Sequence, residues 1–361
     1  YNGASGKIYN YGYININANY STAAGILSES DDVEIYNEKE IIITASTTFA
    51  NRYWYGIAGG NITNNGNLTM NIMNGYSAIA MTSGINNGNI TVSLADKTNA
   101  DGIRGAGINN GNIKINGGLN VNGMFVSQDL TSGEIKDIKA INNKSGNIML
   151  DNISNGNGIA AANKTTAYNE GNITISNSTA TAALYGISLE REAKAINSGN
   201  ITISNISGKN VYGIYGINKK NDEYLDGSGV ILNSGNIEIS DATGDNVYGI
   251  YADQYKIKNT GNITLTNVNK DTSYGIYAIN GSKVYNSGTI TINGESYNKN
   301  EADGKFIYID SSSSMINESE ITASTAFDTA ALGGGKFVLG KDGKITAPEI
   351  KGDITADAGI T

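Results

Sequence analysis

The sequence is built on a repeat whose internal spacing is constant. Residues 257–278 read I-K-N-T-G-N-I-T-L-T-N-V-N-K-D-T-S-Y-G-I-Y-A, and two further copies occupy residues 232–252 and 197–216. In each copy, the Gly of Y-G-I lies fourteen positions after the Gly of G-N-I. A spacing that recurs unchanged along a chain indicates one structural unit stacked on itself. The sequence therefore predicts a solenoid.

The repeat can be followed along nearly the whole chain. With Gly261 as the marker position, the pattern I/V-x-N-x-G-x-I-x-I recurs at spacings of mostly 22–28 residues. The predicted markers are Gly12, Lys39, Gly66, Gly88, Gly111, Gly146, Gly171, Gly199, Gly235, Gly261, Gly288, Ser319 and Gly343. We therefore expect about thirteen coils in one domain that spans residues 1–361.

Each repeat carries the pattern of short strands. Apolar residues alternate with Thr, Ser or Glu after the marker, as at Ile237 and Ile239, and period two with β-branched residues is typical of half-buried strands. The Y-G-I-Y-A segment predicts a second strand, and a shorter third strand precedes the marker. Three strands per unit predict an all-β right-handed parallel β-helix with coils ~4.8 Å apart, a rod of roughly 60 Å.

Two columns of asparagine accompany the marker glycine. Asn recurs two residues before the marker and one residue after it, as at Asn233 and Asn236. Asn and Gly adopt the left-handed backbone conformation at low cost, so we expect these residues to form the corners of the coil. Identical amides in register can also hydrogen-bond along the rod.

Three segments depart from the minimal coil. Residues 117–139, 219–229 and 295–305 are predicted to be loops that leave the solenoid. Insertions in repeat proteins lie on the surface and often carry the binding function, so these loops are candidate contact regions.

Composition argues against several classes of function. The chain has no Cys and no His, which removes thiolate nucleophiles, the usual zinc ligands and the commonest general base. A formal net charge of −9 without a basic cluster disfavours nucleic acid and anionic membranes as partners. No apolar run is long enough to span a bilayer. We expect no enzyme activity, no cofactor, no bound metal and no insertion of this segment into a membrane.

Acidic pairs are the remaining candidates for chemistry. They are Asp31 with Asp32, Asp222 with Glu223, and Glu301 with Asp303. Paired carboxylates can serve glycoside hydrolysis or hold Ca²⁺, although their loop context favours solvated charges. Arginine occurs only at Arg52, Arg104 and Arg191, too dispersed for the catalytic groove of a polysaccharide-active β-helix.

The tyrosines of the repeat are the best candidates for binding. Alternation predicts that one set faces the core: Tyr185, Tyr212, Tyr248 and Tyr274. It places Tyr215, Tyr251 and Tyr277 on the outer face, one per coil, where rings ~5 Å apart suit stacking on sugars or packing against a protein. A ladder that only stabilises neighbouring strands is the alternative interpretation. Trp54 is a second candidate contact point.

The units I-x-N-x-G-N-I-T-I and Y-G-I-Y-A resemble the passenger repeats of type V secreted autotransporters. They are most similar to the very large, Asn- and Gly-rich adhesins of fusobacteria and their relatives. The resemblance covers the chain from about Gly12 to Gly343 and is best over residues 197–293. Its motifs identify a scaffold, and no active-site motif accompanies them.

The resemblance implies a passenger that is exported through the outer membrane by a C-terminal β-barrel translocator of the same polypeptide, which would follow the present chain. Such a rod is displayed on the bacterial surface as a virulence-associated adhesin, with a host-cell or bacterial surface protein or glycan as its partner. Two alternatives stay open at this point. One is a β-helical segment of a secreted cytotoxin that oligomerises, and the other, which the residue inventory disfavours, is a polysaccharide-active enzyme.

Overall fold

The computed structural model describes the 361 residues of the chain with several short gaps. The residues outside the description are 1–4, 19–22, 47–52, 75–76, 96, 132–133, 221–222, 226–228, 270–271, 293–294, 297–298, 301–306, 324–326, 329–331, 353 and 357–361.

The chain folds as a parallel β-helix in which a typical coil contributes three strands, so the predicted fold class is confirmed. The part of the chain that the structure describes contains no α-helix, and therefore none long and apolar enough to cross a membrane. The first face is a sheet of fourteen strands, close to the predicted number of coils. Its strands are Gly6–Asn10, Val33–Asn37, Asn61–Asn64, Gly84–Asn86, Gly107–Asn109, Lys139–Asn142, Thr166–Asn169, Lys194–Asn197, Gly229–Asn233, Tyr255–Asn259, Lys283–Asn286, Ser314–Asn317, Lys336–Leu339 and Thr355–Ala356.

The second and third faces belong to one sheet of 21 strands. The second face follows the marker and holds Tyr13–Ala18, Glu40–Ser46, Asn67–Asn74, Asn89–Leu94, Asn112–Asn116, Asn147–Asp151, Asn236–Ala242, Ile263–Thr266 and Ile290–Ile292, the last with the antiparallel Glu295–Ser296. The third face holds Ala23–Leu27, Tyr53–Ala58, Ser77–Met81, Asn99–Arg104, Asn120–Ser127, Asn155–Ala162, Asn246–Asp253, Ser273–Ile279 and Ile307–Ile309. Two long strands, Asn172–Glu190 and Asn200–Ile217, run through both faces.

Seven short strands complete the fold. They are the antiparallel pair Lys219–Lys220 and Glu223–Tyr224, the trio Lys299–Asn300, Glu320–Ala323 and Lys344–Thr346, and the pair Phe327–Asp328 and Ile350–Lys351.

Columns of aliphatic side chains fill the interior. Ile201, Ile237 and Ile263 occupy one position in consecutive coils, and each is at most 1% exposed. Burying one such side chain contributes roughly 1.5–3 kcal/mol. Because the pattern returns in every coil, a polar chain still encloses one continuous apolar core.

Buried asparagine amides form a ladder along the corner between the first and second faces. From Asn10 to Asn286, each Nδ2 donates to the Oδ1 of the next member at 2.7–2.8 Å, and the last bond, to Asn317, is 3.4 Å. The predicted stacking of amides is confirmed. Asn142 belongs to the ladder although the marker alignment misses it, because two extra residues separate it from Gly146.

The conformational reason predicted for these corners is wrong. Gly235 and Gly261 do not lie in the left-handed region; instead, a Cβ on Gly261 would meet the carbonyl oxygen of Gly235 at 2.0 Å. Glycine is needed there because successive coils approach closely. Left-handed residues lie at the other two corners, as at Asn205 (φ 55°) and Gln254 (φ 63°).

The prediction of a loop at residues 117–139 is wrong for the first half of that segment. Asn120–Ser127 is a regular strand of the third face, paired in register with Asn99–Arg104 on one side and Asn155–Ala162 on the other. Its sequence N-V-N-G-M-F keeps the strand pattern around a central Gly without the tyrosines that mark other copies.

Of the other two predicted loops, only the one at residues 219–229 is largely within the described residues. Within 219–229, the antiparallel strands Lys219–Lys220 and Glu223–Tyr224 form a separate two-stranded sheet outside the faces of the solenoid. Most of the segment 295–305 lies outside the described residues.

Candidate binding surface

The three outward tyrosines predicted from the repeat form a stacked column on the third face. Tyr215, Tyr251 and Tyr277 are strand partners in consecutive coils, with ring centroids 5.1 and 5.5 Å apart. Their side chains are half-buried. Tyr308 extends the column, stacked on Tyr277 at 4.5 Å. The sequence analysis misses Tyr308 because its coil lacks Y-G-I, although I-Y-I at residues 307–309 matches the I-Y-A of the copies.

The prediction that four tyrosines face the core is wrong. Tyr185, Tyr212, Tyr248 and Tyr274 form a second column beside the first, with centroids 5.0, 5.2 and 5.9 Å apart. They pack in a cluster separate from the central core. The columns meet edge to face, as where Tyr212 lies 4.9 Å from Tyr215 at an interplanar angle of 63°.

The cause is an interruption of the strand alternation at the Gly of Y-G-I. Val211 and Ile214 are both 0% exposed and both belong to the core, although they are three residues apart. The two tyrosines of the motif consequently lie on the same, outer side. A Cβ on Gly213 would lie 2.5 Å from the carbonyl oxygen of Gly249, so only glycine fits where the strand changes phase.

We call these eight rings the tyrosine patch. Its members are Tyr185, Tyr212, Tyr215, Tyr248, Tyr251, Tyr274, Tyr277 and Tyr308. Offset-stacked and edge-to-face pairs each contribute about 0.5–1.5 kcal/mol beyond area burial. The rings are therefore held in place by one another before any partner arrives.

Three tyrosines of the patch have a raised pKa because they are largely buried. Burial, reinforced by the neighbouring rings of Tyr277 and Tyr274, raises the pKa of Tyr248 to about 12. Burial likewise raises the pKa of Tyr212 and of Tyr251 above the ordinary phenol value. The hydroxyl groups of these three residues stay protonated at neutral pH and can both donate and accept hydrogen bonds.

Trp54 does not serve as a contact point, so that prediction is wrong. Its side chain is 0% exposed and belongs to the central core. Its strand partners in the two adjacent coils are Ala23 and Ala78, whose small side chains leave room for an indole. The ring fills the interior of its coil, and its Nε1 has no hydrogen-bond partner.

The second column changes chemistry in the coils that precede the tyrosine patch. Its position is occupied by Asn157, Asn122 and Asp101 in successive coils. Asn157 Nδ2 donates to Asn122 Oδ1 at 2.7 Å, and Asn122 Nδ2 donates to Asp101 Oδ1 at 2.6 Å. Burial raises the pKa of the Asp101 carboxyl, while its pairing with Arg104 opposes that shift.

A cleft of about 240 Å³ lies where the tyrosine patch ends. Its lining comprises Asn122, Phe125, Asn157, Ala160, Ala161, Ala162, Tyr185, Ser188, Glu190 and Tyr215. Sequence reasoning misses this cleft. An alignment of the coils on a shared Gly would have shown that residues of the cleft occupy the positions that tyrosines fill in later coils. The aligned segments are D-G-I-R, N-G-M-F, N-G-I-A and Y-G-I-S.

The acidic pairs named from the sequence form no centre in the described structure. Asp31 and Asp32 are exposed, whereas Asp222, Glu301 and Asp303 lie outside the described residues. Across the described ranges, no group of three or more acidic side chains is arranged to hold a metal ion. Arg52 also lies outside the description, and Arg104 is engaged by Asp101.

One family matches part of the chain. The sequence model of the BigA third pectate lyase-like domain matches residues 176–289, less than half of the 361. The matched segment contains seven of the eight rings of the tyrosine patch. A search of the curated proteins and a search of the solved structures each found no match. The family match agrees with the parallel β-helix and is consistent with a passenger-like domain.

Proposed function

We propose that this chain is part of a surface-displayed, non-catalytic autotransporter passenger of the fusobacterial adhesin type, exported through the outer membrane. In this proposal the β-helix is a stalk that also adheres to host cells or other bacteria. The tyrosine patch is its contact surface. The observation that carries the proposal is the presence of eight mutually stacked tyrosines on the outer side of one face.

The chemistry of the patch supports recognition of a partner. Tyrosine is enriched among the residues that dominate binding energies, because it presents a large rigid surface at low entropic cost. The rings of the patch already hold one another in position. Less conformational freedom is then lost on binding than for isolated surface side chains.

The non-catalytic part of the proposal is supported by the residue inventory. The chain has no His or Cys to act as general base or nucleophile, and only three Arg. The name of the matching family describes a pectate lyase-like domain in that protein.

The experiment compares the adhesion to cells of beads coated with the unmodified protein, with a triple variant or with a double control variant. Replacing Tyr215, Tyr251 and Tyr277 by Ala removes three of the four rings of one column of the patch, and we expect at least a tenfold loss of adhesion to epithelial cells and to partner bacteria. Tyr168→Ala with Tyr285→Ala is the matched control, since these half-buried tyrosines lie on the first face. Far-UV circular dichroism checks that each variant is folded.

The proposal fails if the column variant adheres as well as the unmodified protein. It also fails if the control variant loses adhesion to the same extent, because the effect would then not belong to the third face.

A further inference from the structure

The tyrosine patch ends abruptly, and the gap next to it has the form of a binding site. In the three coils that precede Tyr215, the same position is occupied by Ser188, then Ala160, then Phe125. Two coils thus lack a ring where the following four coils carry one. At ~4.8 Å per coil, Phe125 and Tyr215 are about 14 Å apart along the rod.

Aromatic side chains form the walls of this cleft, and small side chains form its floor. Phe125 closes one end and Tyr215 with Tyr185 the other, while Ala160 and Ser188 form the floor. The volume of about 240 Å³ is below the roughly 300–1,000 Å³ of sites for drug-sized ligands. The cleft therefore suits a single ring-sized group.

The cleft wall contains a hydrogen-bond acceptor that the protein leaves unused. Asn157 ends the amide ladder that begins at Asp101, because the next coil carries Tyr185 where a further amide would donate. Asn157 Oδ1 is buried and has no hydrogen-bond partner. Buried polar atoms are nearly always paired, which makes this unpaired oxygen a candidate acceptor for an external hydroxyl. Because Oδ1 has almost no accessible area in the ligand-free chain, a hydroxyl pairs with it only when a neighbouring side chain of the wall moves aside on binding.

We propose that this cleft binds one uncharged pyranose residue of a surface glycan. A sugar presents an apolar C–H face to the aromatic walls and donates hydroxyl groups to Asn157 Oδ1 and the Glu190 carboxylate. Tyr185 and Phe125 supply the stacking surfaces. The glycan as the source of the sugar rests on the proposed adhesive function, whereas the site itself rests on the geometry of the cleft.

The charge of the lining selects a neutral sugar over an acidic one. Glu190 is the only charged residue among those that line the cleft, and no Lys or Arg lines it. A uronic or sialic acid would bring a second negative charge to a lining without a cation, in a chain of net charge −9. Arg104, whose guanidinium lies 5.8 Å from the centroid of the Phe125 ring, is already paired with Asp101. Neutral-sugar binding is consequently expected to be insensitive to salt.

The test measures binding of neutral methyl glycosides of glucose, galactose, mannose and N-acetylglucosamine by NMR on the isotope-labelled chain. We expect at least one to bind with an affinity on the order of 1 mM, as is usual for so small a ligand. The Asn157 side-chain amide resonance should shift on binding. Methyl glucuronide should bind at least tenfold more weakly, and the affinity for the neutral glycoside should not change with added NaCl.

Filling the cleft provides the decisive variant. Ser188→Tyr continues the tyrosine column into the gap, and we expect at least a tenfold loss of glycoside affinity with the fold intact. Ala160→Phe fills the adjacent position and serves if the first variant folds poorly. Thr174→Tyr is the matched control, because Thr174 is a half-buried position of the same long strand on the second face, outside the cleft.

The outcomes separate this proposal from the adhesive function. If no neutral glycoside binds, or if binding survives both filled variants, the cleft is not a sugar site, even when adhesion through the tyrosine patch is retained. If binding is lost in the filled variants while the patch variants adhere normally, the cleft proposal stands and the adhesive role of the patch fails. If an aromatic amino-acid amide shifts the Asn157 side-chain amide resonance as much as the glycosides do, the assignment to sugar is overturned in favour of a protein partner.

Discussion

Replacing Asn197 by Ala should break the buried asparagine ladder at its middle. Asn197 Oδ1 accepts from Asn169 Nδ2 and Asn197 Nδ2 donates to Asn233 Oδ1, both at 2.7 Å, in a side chain that is 1% exposed. Each buried polar group left without its partner costs about 1–3 kcal/mol, and two are affected. Asn169 Nδ2 keeps a long bond of 3.4 Å to the carbonyl of Asn200. We therefore expect a loss of about 2–4 kcal/mol in the free energy of unfolding.

The matched control is Asn200→Ala in the same coil. Asn200 belongs to the second asparagine column, which directly follows the marker. Its exposed Nδ2 donates to Asn172 Oδ1 and its Oδ1 accepts from Asn236 Nδ2, both at 3.1 Å. Water replaces both partners at that position, so the expected loss is under about 0.5 kcal/mol.

The assay is urea unfolding followed by far-UV circular dichroism. Because coils of a solenoid can unfold in stages, the midpoint of the transition that includes the central coils is compared among the variants. A midpoint for Asn197→Ala no lower than that for Asn200→Ala would refute the conclusion that the buried ladder stabilises this corner.

Three further predictions concern the third face and the core. Trp54, the single tryptophan, should show blue-shifted fluorescence and little quenching by iodide in the folded protein, because it is 0% exposed; quenching as strong as in urea would contradict its burial. Gly249→Ala should destabilise the protein by about 1–3 kcal/mol in thermal unfolding, because the added Cβ would lie 2.5 Å from the carbonyl oxygen of Gly275. Gly12→Ala is the control and should have little effect, because a Cβ added there would have no other atom within 4 Å. The pKa of Tyr248 is raised from 10.0 to about 12. Its protonated form therefore contributes stability that is fully present below pH 10 and is lost as the pH rises to about 12. In melting experiments, Tyr248→Phe should reduce the fall in melting temperature between these two pH values.

The fold follows from the sequence because its signals are local and repeated. The alternation at Ile237 and Ile239 predicts a strand within a few residues, and the fixed spacing of the copies predicts that equivalent residues meet in adjacent coils. The amide ladder is predictable for the same reason. Asn142 shows the limit, since an insertion of two residues in a corner shifts the sequence pattern without shifting the side chain in space.

The surface depends on information that alternation does not contain. Whether Tyr212 faces the core or the solvent is decided by a change of strand phase at Gly213, where the next coil approaches so closely that only glycine fits. Trp54 is buried because its neighbours above and below are alanines, a relation between residues far apart in the chain. The cleft beside Tyr215 exists because two successive coils place small residues in an aromatic column. The sequence by itself determined the winding of the rod, through a period that every coil repeats. Only the tertiary structure decided which side chains the rod presents, because that depends on changes of strand phase and on neighbours brought together by stacking.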